Sequence, residues 1–173
     1  VNEEEVFVPV PKLVKKGKLT DFMPGTATGN IISDHLKNII EETAPLGMQY
    51  IKQRIIVKDE EIGGYWLTNN YDFDYSVLDF EKTEICIMKT TWDVDFNLKV
   101  KNSMEFASLI STIHLPKHVT IFRPYFLENC DKDFFALRYV YSGFSFFCSE
   151  RFRDKLESEK ITGIRFMELD EVL

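Results

Sequence analysis

Apolar and polar residues alternate along residues 92–100, and this alternation constrains the fold more than any other feature of the chain. The odd-numbered residues are polar or charged: Asp93, Asp95, Asn97 and Lys99. The even-numbered residues are apolar: Trp92, Val94, Phe96, Leu98 and Val100. Successive side chains of a strand point to opposite faces, so a period of two predicts a strand with its apolar side chains inward and its polar ones in water. Strands of this kind are typical of antiparallel sheets.

Further strands are predicted by apolar runs between turn-forming residues. We expect them at residues 48–57, 119–126, 134–141 and 144–148, and the alternation of aromatic residues with Asp over 71–75 has the same period of two. Gly63 and Gly64 are expected to turn the chain before another strand begins at Tyr65. Residues 103–113 predict a helix that Ser103 caps, with four apolar residues inward: Phe106, Leu109, Ile110 and Ile113.

One pattern occurs twice without a gap, at an offset of 116 residues. The stretch SDHLKNIIEETAPLGMQYI begins at Ser33, and SERFRDKLESEKITGIRFM begins at Ser149. Each has a capping Ser followed by an acid, an amphipathic helical stripe, a glycine and an aromatic residue, and each follows a short apolar run. The pattern predicts a strand, a helix of about three turns and a returning strand, used near both ends of the chain. The predicted class is α+β with a mostly antiparallel sheet.

The length of 173 residues suits a single domain. Residues 1–18 are expected to form an extended arm, because Pro9 and Pro11 exclude a helix there and alternating valines suit an edge strand. Residues 19–173 are expected to form the α+β domain. The repeat also allows two pseudo-symmetric lobes, at about 19–100 and 101–173.

The chain has no apolar run near the roughly 20 residues that a bilayer-spanning helix needs. Its first residues are acidic and do not resemble a secretory signal, although a signal removed beforehand stays open. Cys86, Cys130 and Cys148 cannot all pair and form no CxxC motif, which favours a reducing cytoplasm.

The formal net charge of −7 argues against binding to nucleic acid, which normally requires a basic surface. Residues 59–95 contain ten acids and two bases, a local sum of −8, so the rest of the chain sums to about +1 and the net negative charge belongs to this one segment. Acidic groups interleaved with aromatic ones can attract and hold a basic protein. We therefore expect a partner-binding face formed by Tyr71, Asp72, Asp74, Tyr75, Asp93 and Asp95, with Trp66 and Trp92 as neighbouring aromatics. Solubility alone explains the charge equally well.

Catalytic motifs are not evident in the sequence. His114 and His118 have the spacing of a helical metal pair, but Pro116 lies between them and no HExxH motif is present. Cys86 and Cys148 lie among apolar residues, which is typical of inert packing thiols. No phosphate-binding glycine loop is found. Neither a metal nor another cofactor is predicted, and two alternatives remain: a hydrolase that uses the clustered carboxylates, or a module that binds a peptide along a sheet edge.

Three segments resemble a known family. VYSGFSFFCSERFRDKLESEKITGIRFMEL at the C-terminal end, NIISDHLKNIIEETAPLGMQYIKQRI near the N-terminal end and YDFDYSVLDFEKTE between them are similar to the eleventh immunity family of bacterial polymorphic toxin systems. The resemblance covers the chain from about Leu19 onward and includes the family's "DFE" type segment at Asp79, Phe80 and Glu81. These motifs are structural. The resemblance implies a bacterial, cytoplasmic, non-enzymatic protein that binds and neutralises a cognate toxin of a contact-dependent or type VI-like system, while the oligomeric state stays open.

Overall fold

The computed structural model describes residues 12–13, 18–24, 29–43, 47–90, 93–141 and 143–169. Most of the predicted N-terminal arm therefore lies outside the described residues, as does Trp92. Two compact units divide the chain. The first combines the described residues up to Asp72 with Cys148–Glu168, and the second contains Phe73–Phe147 and Leu169.

The first unit is an α+β unit built on one sheet. Its strands are β1 (Lys12–Leu13), β2 (Phe22–Met23), β3 (Ile31–Ser33), β4 (Met48–Val57) and β5 (Glu60–Asn70). Its helices are α1 (Asp34–Thr43) and α3 (Glu150–Ser158), the latter named for its place in chain order. The strand order is β1-β4-β5-β3-β2, and every pair is antiparallel except β1 with β4.

Buried aliphatic residues from three strands form the centre of this sheet. Ile31, Ile55 and Leu67 make one apolar cluster. Helix α1 buries Leu36, Ile39 and Ile40, spaced as the helical stripe predicts, and α3 buries Phe152 and Leu156. Removing these side chains from water supplies the main stabilisation of the unit.

The turn between β4 and β5 is placed differently from the sequence-based expectation. Lys58 and Asp59 form it, both with positive φ, as a two-residue hairpin turn requires. Gly63 and Gly64 lie inside β5, where the two glycines oppose the single residue Arg54 across a register shift. The expectation that the glycines turn the chain was wrong because glycine also marks bulges within strands.

The second unit contains a sheet, a helix and a short 3-10 turn at Tyr75–Val77. The strands are β6 (Glu84–Met88), β7 (Val94–Leu98), β8 (His118–Arg123), β9 (Phe134–Val140) and β10 (Gly143–Cys148), and the helix is α2 (Ser103–Thr112). The strand order is β10-β9-β8-β6-β7. Strand β6 pairs antiparallel with both neighbours, whereas β8 and β9 are parallel.

Aromatic residues dominate the packing of the second unit. Phe106 of α2 is fully buried and lies edge-on to Tyr75, with 4.9 Å between ring centroids. Phe126 packs edge-on to Phe135 at 5.3 Å and to Phe147 at 5.0 Å. Such pairs add to the burial of large apolar rings.

Helix α2 is confirmed, but its cap is not the predicted one. The side chain of Asn102 accepts from the N–H of Glu105 at 3.0 Å, and Ser103 is the first helical residue. Of the four residues expected to point inward, Phe106 is fully buried, whereas the other three, Leu109, Ile110 and Ile113, are partly exposed. The helix therefore covers the sheet with a narrower stripe than its sequence suggests.

The α+β class with mostly antiparallel sheets is confirmed, and the repeat is reproduced in part. Asp34 and Glu150 begin α1 and α3 and stand 116 positions apart, as predicted. The first copy returns as β4, whereas residues 161–169 after α3 contain no strand. Residues 71–74 are likewise not a strand, because they lead into the 3-10 turn. The two pseudo-symmetric lobes stay a prediction.

Candidate functional site

Tyr71 and Asp72 follow the end of β5 in the first unit. Their backbone N–H groups both donate to the carbonyl oxygen of Gly47, at 3.1 and 3.3 Å. A Cβ atom at Gly47 would lie 2.1 Å from the Cβ of Asp72, so the close approach requires glycine. This contact fixes the backbone while the side chain of Tyr71 remains outside; the residue is 67% exposed. Asp72 is also exposed.

Asp74 lies in the second unit and caps the 3-10 turn. Its carboxylate accepts from the N–H of Ser76 at 2.9 Å and from the hydroxyl of Ser76 at 2.6 Å. Lys132 Nζ lies 2.7 Å from the other carboxylate oxygen. The hydrogen bond from Lys132, followed by those from Ser76, lowers the pKa of Asp74 to about 2. Asp74 therefore stabilises the start of the 3-10 turn and also carries a negative charge.

The side chain of Tyr75 is committed to packing. Its ring meets Phe106, and its hydroxyl donates to the carbonyl of Arg138 at 3.5 Å. Burial raises the pKa of Tyr75, with a further contribution from Tyr139. Little of this ring is free to contact a partner.

Asp93 and Asp95 flank Val94 near the turn between β6 and β7. The carbonyl of Asp93 accepts from the N–H of Lys89 at 2.8 Å, while the residue itself is exposed. The Asp95 side chain is only 17% exposed and lies between Lys117 at 2.6 Å and Lys89 at 3.3 Å. Its pKa is lowered, chiefly by the hydrogen bond from Lys117. The two aspartates therefore differ: one is solvated and one is neutralised by two lysines.

The six predicted site residues are divided between the two units. Tyr71 and Asp72 belong to the first, and Asp74, Tyr75, Asp93 and Asp95 belong to the second. Within the second unit the carboxylates of Asp74 and Asp95 have different lysine partners, so they do not share one ion-pair cluster. That the six residues form one partner-binding face stays a prediction.

Strand β7 exposes to solvent two apolar side chains that the sequence analysis predicted to point inward. Val94 is 41% exposed and Phe96 is 47% exposed, whereas Asp95 between them is turned toward lysines. The prediction that this apolar face points inward was wrong for these two residues. Alternation identifies two faces of a strand but not its place in the sheet, and β7 lies at an edge.

Trp66, the other aromatic residue near the predicted face, has a structural role in the first unit. Its indole Nε1 donates to the carboxylate of Asp34. Lys37 Nζ lies 5.0 Å from the Trp66 ring and 5.0 Å from the Tyr50 ring. These cation–π contacts tie α1 to the sheet beneath it.

The described residues contain no group of three or more His, Cys, Asp or Glu residues that could hold a metal ion. Burial raises the pKa of the Cys86 thiol and of the Cys148 thiol, which disfavours the nucleophilic thiolate form. Of the helices in the described part of the chain, none is both long and apolar enough to cross a membrane.

The fold thus defines a two-sheet α+β protein with charged groups and aromatic rings on its surface. A family model described as the Immunity protein family (Imm11) matches residues 2–171, essentially the whole chain. The chain belongs to this family. Neither a curated protein nor a solved structure matches it.

Proposed function

We propose that the chain binds a cognate toxin and neutralises it by one-to-one occlusion. The observation that carries this proposal is membership of the immunity family over residues 2–171. An immunity protein protects the cell that makes the toxin, or its kin. The protein is then bacterial and acts in the cytoplasm, against a toxin delivered by a contact-dependent or type VI-like system.

The distribution of charge supports a basic toxin as the partner. Asp72 and Asp93 are exposed, and Tyr71 offers an aromatic ring of the kind enriched at binding hot spots. The side chains of Asp74, Tyr75 and Asp95 are engaged by the contacts within the second unit described above. Preorganisation of this kind lowers the entropic cost of binding. We propose that Tyr71, Asp72 and Asp93 make direct contacts with the toxin, and that Asp74, Tyr75 and Asp95 stabilise the second unit at their own positions.

Co-expression tests the function. The toxin encoded beside this chain's gene is produced from an inducible promoter with the chain, without it, or with an unrelated acidic protein of similar size. Cells should die in the absence of the chain and survive in its presence, and purified toxin and chain should form a complex. Equal killing in all three strains would contradict the proposal.

A further inference from the structure

One stretch of β5 has a strand on only one side within the described residues. Strand β3 pairs with Tyr65, Trp66 and Leu67 and ends at Ser33, where α1 begins. Glu60–Asn70 pairs with β4 along its other side. Among the residues that the structure describes, no strand covers the outer side of residues 60–63, so their outward backbone N–H and C=O groups can pair with an added strand.

Gly63 in this stretch is not required by the fold of the chain itself. The residue is exposed, its φ lies outside the positive region, and no described atom lies within 4 Å of a Cβ built on it. Its neighbour Gly64 is different, because its φ of +80° favours glycine. Glycine within a strand weakens the strand relative to alanine. Glycine in a strand marks a bulge or a place where another backbone comes close. The bulge described above needs glycine at Gly64, whose φ is positive, so close approach of another backbone is the reason left for Gly63.

The side chains around this edge are mainly acidic. Asp59, Glu60 and Glu61 are exposed, and the Asp34 carboxylate lies 3.2 Å from a Cβ built on Gly64. Two bases accompany them: Lys58 in the turn, and Arg54, which pairs with Glu61 at 3.4 Å. The excess of negative charge complements a basic segment.

We propose that the outer edge of residues 60–63 receives an extended, basic segment of the toxin as an additional strand. This proposal rests on the proposed function and gives it a specific contact. Backbone hydrogen bonds would supply affinity, and the surrounding carboxylates would select lysine or arginine side chains on the incoming strand. The partner of this edge is thereby defined by its conformation and its charge.

Two substitutions at the same open position test the proposal. Gly63→Lys and Gly63→Glu add side chains of similar length into solvent, so both variants should fold like the parent. The probe is the neighbouring toxin gene's product, inactivated by mutation, and its Kd is measured by calorimetry. Gly63→Lys should weaken binding by about tenfold, because it repels a basic strand, whereas Gly63→Glu should bind at least as tightly as the parent.

The controls distinguish toxin binding at this edge from an effect of net charge and from a failure of the proposed function. Glu128→Lys changes the net charge by 2 on an exposed turn of the second unit and should leave Kd within about twofold. An unchanged Kd in Gly63→Lys, or equal weakening in both Gly63 variants, would overturn the proposal. Binding of the toxin by the parent chain would in that case still support the proposed function. Sedimentation of the chain alone gives a third outcome: a dimer that Gly63→Lys dissociates would assign this edge to a second copy and overturn the proposal.

Discussion

The aspartates of the acidic segment differ in whether lysines pair with their carboxylates. Asp74 and Asp95 each contact lysines, at 2.7 Å for Asp74 and at 2.6 and 3.3 Å for Asp95. Asp72 and Asp93 are exposed. The local charge calculated from sequence therefore overstates the negative field at the first pair, because nearby lysines cancel part of it. The exposed pair contributes more to long-range attraction of a basic partner.

Lys132→Met should raise the pKa of Asp74 from about 2 toward its ordinary value of 3.8, because the largest cause of the lowered pKa is removed. Hydrogen bonds from Ser76 remain, so the pKa should stay somewhat below 3.8. An NMR pH titration of the Asp74 carboxyl carbon measures the change.

The sign of the pH effect follows from the lowered pKa. In the parent, the stabilisation from the Asp74 carboxylate is fully present above pH 3.8 and is lost as the pH falls through about 2. In Lys132→Met the loss should occur at higher pH. Lys89→Met is the matched control, since Lys89 pairs with Asp95 and should leave the Asp74 titration unchanged. Identical Asp74 curves in parent and Lys132→Met would show that the ion pair is absent in solution.

Elements with local start and stop signals could be predicted from the sequence. Helix α1 begins after Ser33, whose hydroxyl oxygen accepts from the N–H of Leu36 at 3.1 Å, and β4 spans the predicted residues 48–57. Ser149 caps α3 in the same way through the N–H of Phe152, at 3.1 Å. Caps act within one turn of the chain, so their signal lies in the local sequence. At α2 two neighbouring residues, Asn102 and Ser103, both suit a cap, and the prediction took the wrong one.

Elements that depend on long-range pairing could not be predicted so well. The Lys58–Asp59 turn contains no glycine, so the sequence analysis placed the turn at the nearby Gly63 and Gly64 instead. The edge position of β7, and with it the exposure of Phe96, follows from the order of strands in the finished sheet. Within the described part of the chain, the outer side of residues 60–63 likewise lacks a neighbouring strand because β3 ends at Ser33. The candidate site is therefore a prediction from charge alone, whereas which of its carboxylates pair with lysines follows from tertiary contacts.

Ser33→Ala and Ser149→Ala should each destabilise the helix that follows by about 1 kcal/mol, because each removes a cap. The loss at Ser33 should be the larger of the two. Its hydroxyl, on a buried residue, also donates to the half-buried Asp21 carboxylate at 2.7 Å, so the substitution removes a hydrogen bond to a charged group in addition to the cap.

Hydrogen exchange of the α1 and α3 amides measures each loss separately, which avoids assuming that both units unfold together. Ser111→Ala provides the control, because Ser111 lies near the end of α2 and its hydroxyl donates only to the Ser108 carbonyl, at 2.7 Å. Protection losses no greater than in this control would show that the two serines are not the caps that the repeat indicates.

At the scale of the whole molecule, the predicted acidic face has a simple electrostatic test. Asp72→Lys and Asp74→Lys together should slow association with a basic toxin and flatten its dependence on salt, because exposed charges steer encounters and salt screens them over about 8 Å at physiological ionic strength. Association rates from stopped-flow fluorescence at several salt concentrations provide the measurement. A decrease of about tenfold at low salt is expected.

The double variant also removes the partner of Lys132, so local damage has to be separated from lost charge. Lys132→Met breaks the same ion pair but keeps the acidic face, and it should associate at least as fast as the parent. If Lys132→Met were as slow as the double variant, the local structure around Asp74 would explain the effect. An unchanged rate and affinity in the double variant would remove Asp72 and Asp74 from the toxin interface.

Occlusion also predicts how much protein is needed. A chain that shields the toxin acts only while bound, so toxin activity measured at concentrations well above Kd should fall linearly with added chain and reach zero at one equivalent. A hydrolase that altered the toxin would act in smaller amounts and increasingly with time. The inhibited toxin should keep its mass and regain activity after the complex is separated under denaturing conditions and the toxin is refolded. Toxin carried through the same steps alone controls for refolding, and complete inhibition by a tenth of an equivalent would contradict occlusion.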